Sequence, residues 1–292
     1  MKLVTVYLIT QNRSKLLTRA IDSIFKQDYP AIELIVVDDA STDDTSEVVK
    51  KLQQQYDFVY LKNEKVSGAC FSRNRAIEAS NGYYVTGLDD DDYFCPERVS
   101  QLVAAYDEKY AFVCANVQEL MGNGDLIDRN FGFQSGKFGL EKLLHHNLVG
   151  NQVLTTKAKF EQVGGFDVNM PAFQDYDTWV RLLRKTPLAL KISARNYVLE
   201  TNHGGLRISS SNKKKLMGYR LFINKNRDIL NAKQLQSMAL LETKVSGSKY
   251  GFYNFIKTVN ADNYKSALNL YLQRNLNWLK ITLDHLKKIK LA

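Results

Sequence analysis

The stretch Val85–Phe94, VTGLDDDDYF, places four carboxylates in a row directly after a short apolar run. Adjacent carboxylates repel one another, and a divalent cation among them relieves that repulsion. Mg²⁺ and Mn²⁺ prefer oxygen ligands, and with one or two protein carboxylates such a cation keeps coordination positions open for substrate phosphates. There it offsets the charge that builds up on a leaving diphosphate. The alternative is a solvated acidic turn, the usual interpretation of an isolated acidic run.

The elements that must position these carboxylates are strands and helices in alternation. The strand-like apolar runs are Val4–Ile9, Glu33–Val37, Val59–Leu61 and Tyr83–Leu88. Ser14 is a candidate N-cap for the helix that follows the first run. Alternating strands and helices predict a parallel sheet, whose ligand site lies beyond the carboxyl ends of its strands. Because Thr10–Arg13, Asp38–Asp43 and Asp89–Asp92 follow such ends, we expect these three polar clusters to converge.

Composition limits the class of protein. The chain has 292 residues, of which 45% are apolar and 11% aromatic, enough for a sizeable core in one large or two modest domains. It contains no run of 18 apolar residues, and Leu3–Ile9 is too short for a signal peptide and lacks a small-residue cleavage site. We therefore expect a cytosolic protein. Cys70, Cys95 and Cys114 are odd in number and widely spaced, which argues against a disulfide framework or a zinc site and predicts core positions.

Charge divides the chain into two parts. From Leu206 onward there are 17 Lys and Arg against 4 Asp and Glu, a net +13, which leaves −4 of the total +9 for the preceding residues. Patterns after Ser209 are helical only, so we predict domains over residues 1–210 and 211–292. The basic part predicts an anionic partner, either nucleic acid or an anionic membrane surface, with a solvated face as the alternative.

The end of the chain reads as a basic amphipathic helix. In LNWLKITLDHLKKIK, from Leu276 to Lys290, leucines recur at spacings of three and four while lysines collect mostly on the other side. Such a helix can lie in the headgroup region of an anionic bilayer. It can also pack on the rest of the chain, or pair with a second copy as a short coiled coil to form a homodimer.

Three ordered stretches carry a family resemblance. They are Val4–Thr45 with its paired aspartates, Ser67–Val99 with an arginine segment running into the acidic motif, and Gly164–Leu182, GGFDVNMPAFQDYDTWVRL. Together they resemble glycosyltransferase family 2, whose members transfer sugars from nucleotide-sugar donors with inversion at the anomeric carbon. The resemblance implies an α/β GT-A fold, a Rossmann-like mixed sheet flanked by helices, over residues 1–210, followed by the C-terminal helical region.

The resemblance also implies donor-binding roles in each polar cluster. The residues concerned are Thr10, Asn12, Asp38, Asp39, Arg73, Asp89 and Asp90. A carboxylate can accept from a pyrimidine N–H, which suits Asp39 at the nucleobase, and the guanidinium of Arg73 offers a fork of donors to the diphosphate. The alternatives are helix capping for Asp38 and Asp39 and a surface ion pair for Arg73.

A metal cofactor, Mn²⁺ or Mg²⁺, follows from the same resemblance. Asp89 and Asp91 take the two aspartate positions of the DxD motif, and Asp91 would ligate the cation. His203, in TNHGGLRIS, occurs where related sequences often carry a histidine near the metal and diphosphate. A hydrogen-bonding role within a loop is the alternative for His203.

Asp175 falls on the position of the general base in the family. Inverting transfer needs one carboxylate to take the proton from the acceptor hydroxyl as that hydroxyl attacks the anomeric carbon, so one well-placed aspartate suffices. Asp177 would then be structural, since DYDTWVRLL reads as the start of a helix. The alternative for Asp175 is a carboxylate that stabilises the N-terminus of that helix.

The function implied is metal-dependent sugar transfer from a UDP-sugar to a glycan or lipid-linked acceptor in bacterial surface polysaccharide synthesis. The predicted location is cytoplasmic, including the cytoplasmic face of the inner membrane. A sugar-1-phosphate nucleotidyltransferase would carry a glycine-rich loop after its first strand, where TQNRS has no glycine. A catalytically silent nucleotide-sugar binder or assembly scaffold is the main alternative. No nucleic-acid partner is expected, because no recognised nucleic-acid-binding motif is present.

Overall fold

The computed structural model describes residues 1–129, 132–150, 152–200 and 211–280. The strands in these residues are β1 Val4–Thr10, β2 Ile32–Asp38, β3 Val59–Lys62, β4 Tyr84–Asp89, β5 Tyr93–Phe94, β6 Val113–Leu120, β7 Leu126–Arg129, β8 Gly136–Phe138, β9 Thr155–Thr156 and β10 Ala189–Glu200. The helices are α1 Ser14–Phe25, α2 Thr45–Leu52, α3 Ala69–Ala79, α4 Arg98–Ala105, α5 Leu140–Leu143, α6 Lys157–Gln162, α7 Gln174–Lys185, α8 Asn212–Asn226, α9 Ala232–Ser246, α10 Phe252–Thr258 and α11 Tyr264–Asn275.

The first sheet has the strand order β3-β2-β1-β4-β9. Its first four strands are parallel and β9 is antiparallel to β4. The four strands predicted from apolar runs are all present, each with bounds within one residue of the expected ones. Val4, Val6 and Leu8 of β1 are fully buried, as expected for a central strand covered by helices on both faces. The predicted mixed α/β fold is therefore confirmed.

The start of α1 differs from the prediction. The N-cap residue is Arg13, which makes no capping hydrogen bond with its side chain, and Ser14 is the first residue of the helix. The assignment of Ser14 as N-cap is wrong because the turn after β1 is one residue shorter than the capping pattern assumed. This short turn keeps Arg13 beside the carboxyl ends of the strands.

The second sheet has the order β5-β10-β6-β7, with β8 also paired to β10. Strand β10 is 12 residues long and runs parallel to β6 and antiparallel to β5. Two register shifts around Arg195 interrupt the pairing of β10 with β6. Because these shifts break the alternation of buried and exposed residues, the sequence pattern does not indicate one strand of this length. β7 lies at the sheet edge, and all four of its residues are exposed.

The chain divides into two compact units. The first comprises Met1–Leu140, Asn147–Met170 and Gln174–Arg207, and the second comprises Glu141–His146, Pro171–Phe173 and Ile208–Ala292. The predicted domain boundary after residue 210 falls outside the described residues and stays a prediction. Both sheets belong to the first unit, with Cys70 and Cys114 buried and Cys95 partly buried.

The second unit is helical in its described residues. A small core of Leu240, Tyr250, Ala267 and Leu270 joins α9 and α11 to the segment around α10. Asn231 and Gln234 form a capping box at the start of α9. No helix in the described part of the chain is both long and apolar enough to cross a bilayer. Residues 281–290 of the predicted amphipathic helix lie outside the described residues.

Candidate active site

The carboxyl ends of three neighbouring strands meet in one row. Thr10 at the end of β1 pairs in register with Asp38 at the end of β2, and Ile9 pairs with Asp89 at the end of β4. Parallel pairing in this register aligns the strand ends, where a polar residue follows the apolar residues of each strand. Three predicted site residues are thereby brought together.

Asn12 ties the loop after β1 to the loop after β2. Its backbone has φ 54°, a left-handed conformation that asparagine tolerates better than most residues. Its Oδ1 accepts from the backbone N–H of Thr42 at 2.8 Å, and its own N–H donates to Ser41 Oγ at 2.9 Å. Asn12 thus holds two loops at the sheet edge in a fixed relation.

Asp38 is fully buried and anchors the loop that follows β2. Its Oδ1 accepts from the N–H of Ser41 and its Oδ2 from the hydroxyl of Tyr60, both at 2.7 Å. Lys62 Nζ lies 3.7 Å from the same carboxylate. These contacts give Asp38 a positioning role within the protein.

Asp39 binds the segment that leads into α3. Its Oδ1 accepts from Asn63 Nδ2 at 2.7 Å and from the N–H of Ser67 at 2.8 Å, and its Oδ2 accepts from the N–H of Gly68 at 2.8 Å. A carboxylate has about four acceptor positions, so three bonds leave capacity for one more donor. Neither Asp38 nor Asp39 caps α2, whose N-cap is Asp44.

The four aspartates Asp89–Asp92, called the acidic turn below, are bridged by an arginine that the sequence did not single out. Arg13 Nη1 donates to Asp90 Oδ1 at 2.8 Å and to Asp91 Oδ2 at 2.9 Å. Burial raises the pKa of the Asp90 carboxyl to about 6, against the opposing effect of Arg13. The Arg13 guanidinium therefore neutralises part of the negative charge for which the sequence predicted a metal ion.

Asp92, the last residue of the run, faces inward. Its Oδ2 accepts from the Tyr197 hydroxyl at 2.9 Å and its Oδ1 from the N–H of Glu200 at 3.0 Å. Tyr197 also accepts from the N–H of Asp89 at 3.3 Å. Burial and the neighbouring carboxylates raise the pKa of Asp92 well above its usual value. Asp92 and Tyr197 thus fix both ends of the turn to β10.

Arg73, on α3, joins the acidic turn to α7. Its Nη2 donates to Asp89 Oδ1 at 3.0 Å, and its Nη1 lies 3.4 Å from Asp175 Oδ1 and 3.4 Å from Gln174 Oε1. The guanidinium also stands over the ring of Phe166, at 5.2 Å from the centroid. Arg73 is therefore a buried connection between two carboxylates and not a surface ion pair.

Asp175 and Asp177 occupy the first turn of α7 but have different surroundings. Burial raises the pKa of Asp175 to about 6, although the Arg73 charge opposes the rise. Asp177 is 1% exposed and pairs with Arg181 at 2.8 Å, one helical turn later. Asp175 thus remains near the acidic turn as a carboxylate with an elevated pKa, whereas Asp177 is bound within its own helix.

A buried hydrogen-bond chain supports Asp89 from beneath. Gln152 Nε2 donates to Asp89 Oδ1 at 3.2 Å, and the Tyr7 hydroxyl donates to Gln152 Oε1 at 3.1 Å. Gly87 makes room for this chain, since a Cβ at that position would lie 2.2 Å from Gln152 Oε1 and 2.3 Å from the Tyr7 ring. The glycine at position 87 of β4 thus leaves space for Gln152 and Tyr7, the two side chains that orient Asp89 at the end of the strand.

The donor set of the turn fits a hard divalent cation. Asp89 and Asp91 offer carboxylate oxygens only, and their side chains are partly accessible, at 28% and 11% exposed. Among the described residues, no three His, Cys, Asp or Glu side chains form a closed metal cage. An open site with one or two protein ligands and further ligands from a substrate is consistent with both observations. His203 lies outside the described residues.

Sequence reasoning missed three contributors to the site: Arg13, Gln152 and Tyr197. Each contacts the acidic turn from a distant part of the chain, so spacing gives no signal for Gln152 or Tyr197. Arg13 could have been found, since it ends the first polar cluster and the short turn must leave it near the other strand ends.

The chain is similar to known proteins in both sequence and structure. The family model described as Glycosyl transferase family 2 matches residues 5–167. The putative colanic acid biosynthesis glycosyl transferase WcaA of Escherichia coli strain K12 is 34% identical over 233 residues, which cover 77% of this chain and 82% of the relative.

Two solved structures share the fold. Residues 1–349 of S. aureus TarS in complex with UDP-GlcNAc give a TM-score of 0.69 at 20% identity, over 93% of this chain and 81% of that chain. The mannosyltransferase PcManGT from Pyrobaculum calidifontis, in complex with GDP-Man and Mn²⁺, gives a TM-score of 0.60 at 19% identity, over 85% and 76% respectively.

Proposed function

The chain belongs to glycosyltransferase family 2 and is a glycosyltransferase, and we propose that it transfers a sugar from a UDP-sugar, with inversion, to a hydroxyl of a glycan or lipid-linked acceptor. The proposal includes a divalent cation as cofactor and bacterial surface polysaccharide synthesis as the setting. Catalysis is assigned to residues 1–210 and acceptor or surface attachment to residues 211–292.

The contact of Arg73 with both Asp89 and Asp175 carries this proposal. It joins the acidic turn, where a donor diphosphate would lie, to the one carboxylate that matches the base position. A transfer reaction needs these groups together, because the acceptor oxygen must be deprotonated where it meets the anomeric carbon. An acidic turn without this link would be consistent with nucleotide binding alone.

Asp175 is suited to accept the acceptor proton. A general base works best with a pKa near the working pH, and burial raises the pKa of Asp175 to about 6. The carboxylate is then mostly ionised at neutral pH but more basic than an exposed aspartate. Arg73, at 3.4 Å, holds its orientation.

Arg73 and Asp91 would bind the donor diphosphate from two sides. The guanidinium fork of Arg73 can donate to phosphate oxygens, and Asp91, with Asp89, would hold Mn²⁺ or Mg²⁺. When bound, such a cation supplies charge stabilisation to the leaving diphosphate. Thr10, Asn12, Asp38 and Asp39 would shape the nucleobase end of the site, with the remaining acceptor position of Asp39 available to a base N–H.

The names of the comparison proteins support the substrate classes. TarS was solved with a UDP-sugar, PcManGT with a GDP-sugar and Mn²⁺, and the E. coli relative is named for biosynthesis of colanic acid. A nucleoside-diphosphate sugar as donor and a polysaccharide as product class agree with these names.

Attachment to an anionic membrane surface is proposed for the helical region. On α10, Phe252, Tyr253 and Ile256 are 65%, 76% and 56% exposed, and Lys249 and Lys257 flank them. Aromatic rings beside lysines suit the boundary between acyl chains and anionic headgroups. A peripheral location on the cytoplasmic face of the inner membrane follows, with homodimer formation through the helices as the competing outcome.

Donor hydrolysis and transfer test the catalytic proposal. We expect release of UDP from at least one of a panel of UDP-sugars in Mn²⁺, abolished by EDTA and by Asp91→Ala. Asp175→Asn should lower turnover by about 10²-fold while leaving UDP affinity nearly unchanged. Asp177→Asn serves as the matched control on the same helix. Full activity in EDTA would contradict the cofactor, and near-normal turnover of Asp175→Asn would contradict the base.

Vesicle sedimentation tests the surface proposal. The full-length chain should pellet with phosphatidylglycerol vesicles at low salt and not with phosphatidylcholine vesicles, and added salt should release it. The double variant Phe252→Ser with Tyr253→Ser should remain in the supernatant with unchanged donor hydrolysis. If the variant pellets like the wild type, α10 does not contact lipid. If the wild type never pellets but forms dimers in analytical ultracentrifugation, the membrane proposal is wrong and the helical region is assigned to homodimer formation.

A further inference from the structure

Arg13 contacts the acidic turn in a way that bears on metal binding. Its Nη1 lies within 3 Å of oxygens from two carboxylates, at 2.8 Å from Asp90 and 2.9 Å from Asp91. Asp91 is also the carboxylate assigned to the divalent cation. The neighbouring carboxylates raise the pKa of Arg13 above its ordinary value, although burial opposes the rise. The guanidinium is therefore a permanent positive charge at this position.

We propose that Arg13 is a competing counter-ion, which binds Asp91 when no donor is present and transfers to the donor diphosphate when the divalent cation binds. This inference rests on the proposed function. In it, Arg13 is a positioning residue that lowers the affinity for the cation alone and couples cation binding to donor binding.

Electrostatics makes the guanidinium and the cation compete for Asp91. A guanidinium and a divalent cation that share one carboxylate within about 3 Å would repel each other strongly in a partly buried site. Cation binding is therefore most favourable when Arg13 has moved away from Asp91. The cost of breaking its bonds to Asp90 and Asp91 is subtracted from the affinity for the cation.

The local structure allows this movement without unfolding. The Arg13 side chain is 20% exposed, so it has a path towards solvent, and it has four rotatable bonds. Its backbone is held by the neighbouring Asn12, whose bonds to Ser41 and Thr42 do not involve the arginine side chain. A rotation about side-chain bonds is enough to change partner.

The donor supplies the new partner. Phosphate oxygens accept two parallel bonds from a guanidinium fork, so a diphosphate beside the turn compensates Arg13 for the loss of Asp91. Cation and nucleotide then each increase the affinity for the other by the same factor, as linkage requires. The chain would avoid binding the cation in an unproductive state without donor.

Mn²⁺ binding to the full-length protein tests the inference directly. Electron paramagnetic resonance of free Mn²⁺ gives the dissociation constant with and without UDP, and needs no catalytic turnover. We expect Arg13→Gln to bind Mn²⁺ alone about tenfold more tightly than the wild type, a change of about 1.4 kcal/mol. UDP should then increase its Mn²⁺ affinity by a factor about tenfold smaller than in the wild type.

Arg19→Gln is the matched control. Arg19 carries the same charge and donates to the backbone oxygen of Asp91 at 2.7 Å while also pairing with Glu200. Its loss should change the affinity for Mn²⁺ alone by less than about threefold, because the contact is to backbone and not to the ligating carboxylate. Arg13→Lys, which keeps the charge without the fork, should lie between the wild type and Arg13→Gln. Circular dichroism checks that each variant is folded.

The outcomes separate this inference from the proposed function. If UDP and Asp91 support Mn²⁺ binding in the wild type but Arg13→Gln leaves the affinity for Mn²⁺ alone unchanged, the competition is wrong and the cofactor stands. An equal effect of Arg19→Gln would show that any nearby positive charge lowers the affinity for Mn²⁺, and the specific competition between Arg13 and the cation for Asp91 would be wrong. If neither the wild type nor Arg13→Gln binds Mn²⁺ in any condition, both the cofactor and the competition are wrong.

Discussion

Replacement of Asp175 by asparagine should make the protein more stable while it removes the proposed base. Burial raises the pKa of Asp175 from 3.8 to about 6, net of the favourable charge of Arg73. Ionisation of this side chain is therefore less favourable in the native protein than in the unfolded chain. Asparagine has nearly the same shape and cannot ionise, so it avoids this penalty.

The direction and magnitude of this change in the free energy of unfolding follow from proton linkage. Between pH 3.8 and about 6 the native state holds this proton and the unfolded chain does not, so the free energy of unfolding falls as pH rises. A shift of about two units corresponds to about 3 kcal/mol. The side chain is 24% exposed, so solvent screening reduces this to about 1–2 kcal/mol. The Asp175→Asn variant should gain that amount above pH 7 and nothing near pH 4.

Urea unfolding monitored by Trp179 fluorescence measures the effect. Trp179 is fully buried and lies one turn after Asp175 on α7, and a Trp278→Phe background leaves it as the only tryptophan. EDTA in all samples keeps divalent cations out of the comparison. The free energy of unfolding is then compared between pH 4 and pH 7.5.

Asp177→Asn is the contrasting control. Asp177 is 1% exposed and bound to Arg181 at 2.8 Å, so its loss leaves the guanidinium without a carboxylate partner and should destabilise by about 2–3 kcal/mol at pH 7.5. Two aspartates two positions apart should thus have opposite signs. If Asp175→Asn is destabilising, or if its gain does not depend on pH, the burial argument for the base is refuted.

Three further predictions concern the same site. The pH profile of kcat/KM should rise with an apparent pKa of about 6, as Asp175 ionises, and the residual activity of Asp175→Asn should lose that inflection. Calorimetry should show that Asp91→Ala weakens UDP binding in Mn²⁺ by at least about tenfold but changes little in EDTA; equal losses would remove Asp91 from the metal. Gly87→Ala should lower the free energy of unfolding by about 2 kcal/mol, because its Cβ would lie 2.2 Å from Gln152 Oε1, whereas Gly251→Ala, whose Cβ would have no atom beyond its chain neighbours within 4 Å, should cost less than about 1 kcal/mol, the scale of a change at a helix N-cap.

The parts of the fold that could be predicted are those encoded by local pattern. β1, β2 and β4 are short apolar runs ending in polar residues, and a parallel arrangement then brings Thr10, Asp38 and Asp89 to one edge. β10 could not be predicted in this way, because its register shifts break the alternation of buried and exposed residues around Arg195.

The site divides along the same line. Asp89 and Asp175 were identified from motifs, but nothing in the spacing of the sequence shows that Arg73 binds both. The partners of the acidic turn were missed because they depend on tertiary contacts: Gln152 is 63 positions from Asp89 and Tyr197 is 105 from Asp92. The charge of four aspartates suggested a metal ion, while the fold supplies Arg13 and Arg73 as well.

The loops around the site differ in how freely they can change. Asn12 binds the loop after β2, and Asp39 binds the segment before α3, so these loops form one cross-linked unit in which a substitution in any loop disturbs the others. In the hairpin of β6 and β7, β7 is an edge strand and all four of its residues are exposed. Engineering by loop exchange should therefore succeed at this hairpin one segment at a time. At the loops linked by Asn12 and Asp39, by contrast, only a graft of all the linked loops together should retain the fold.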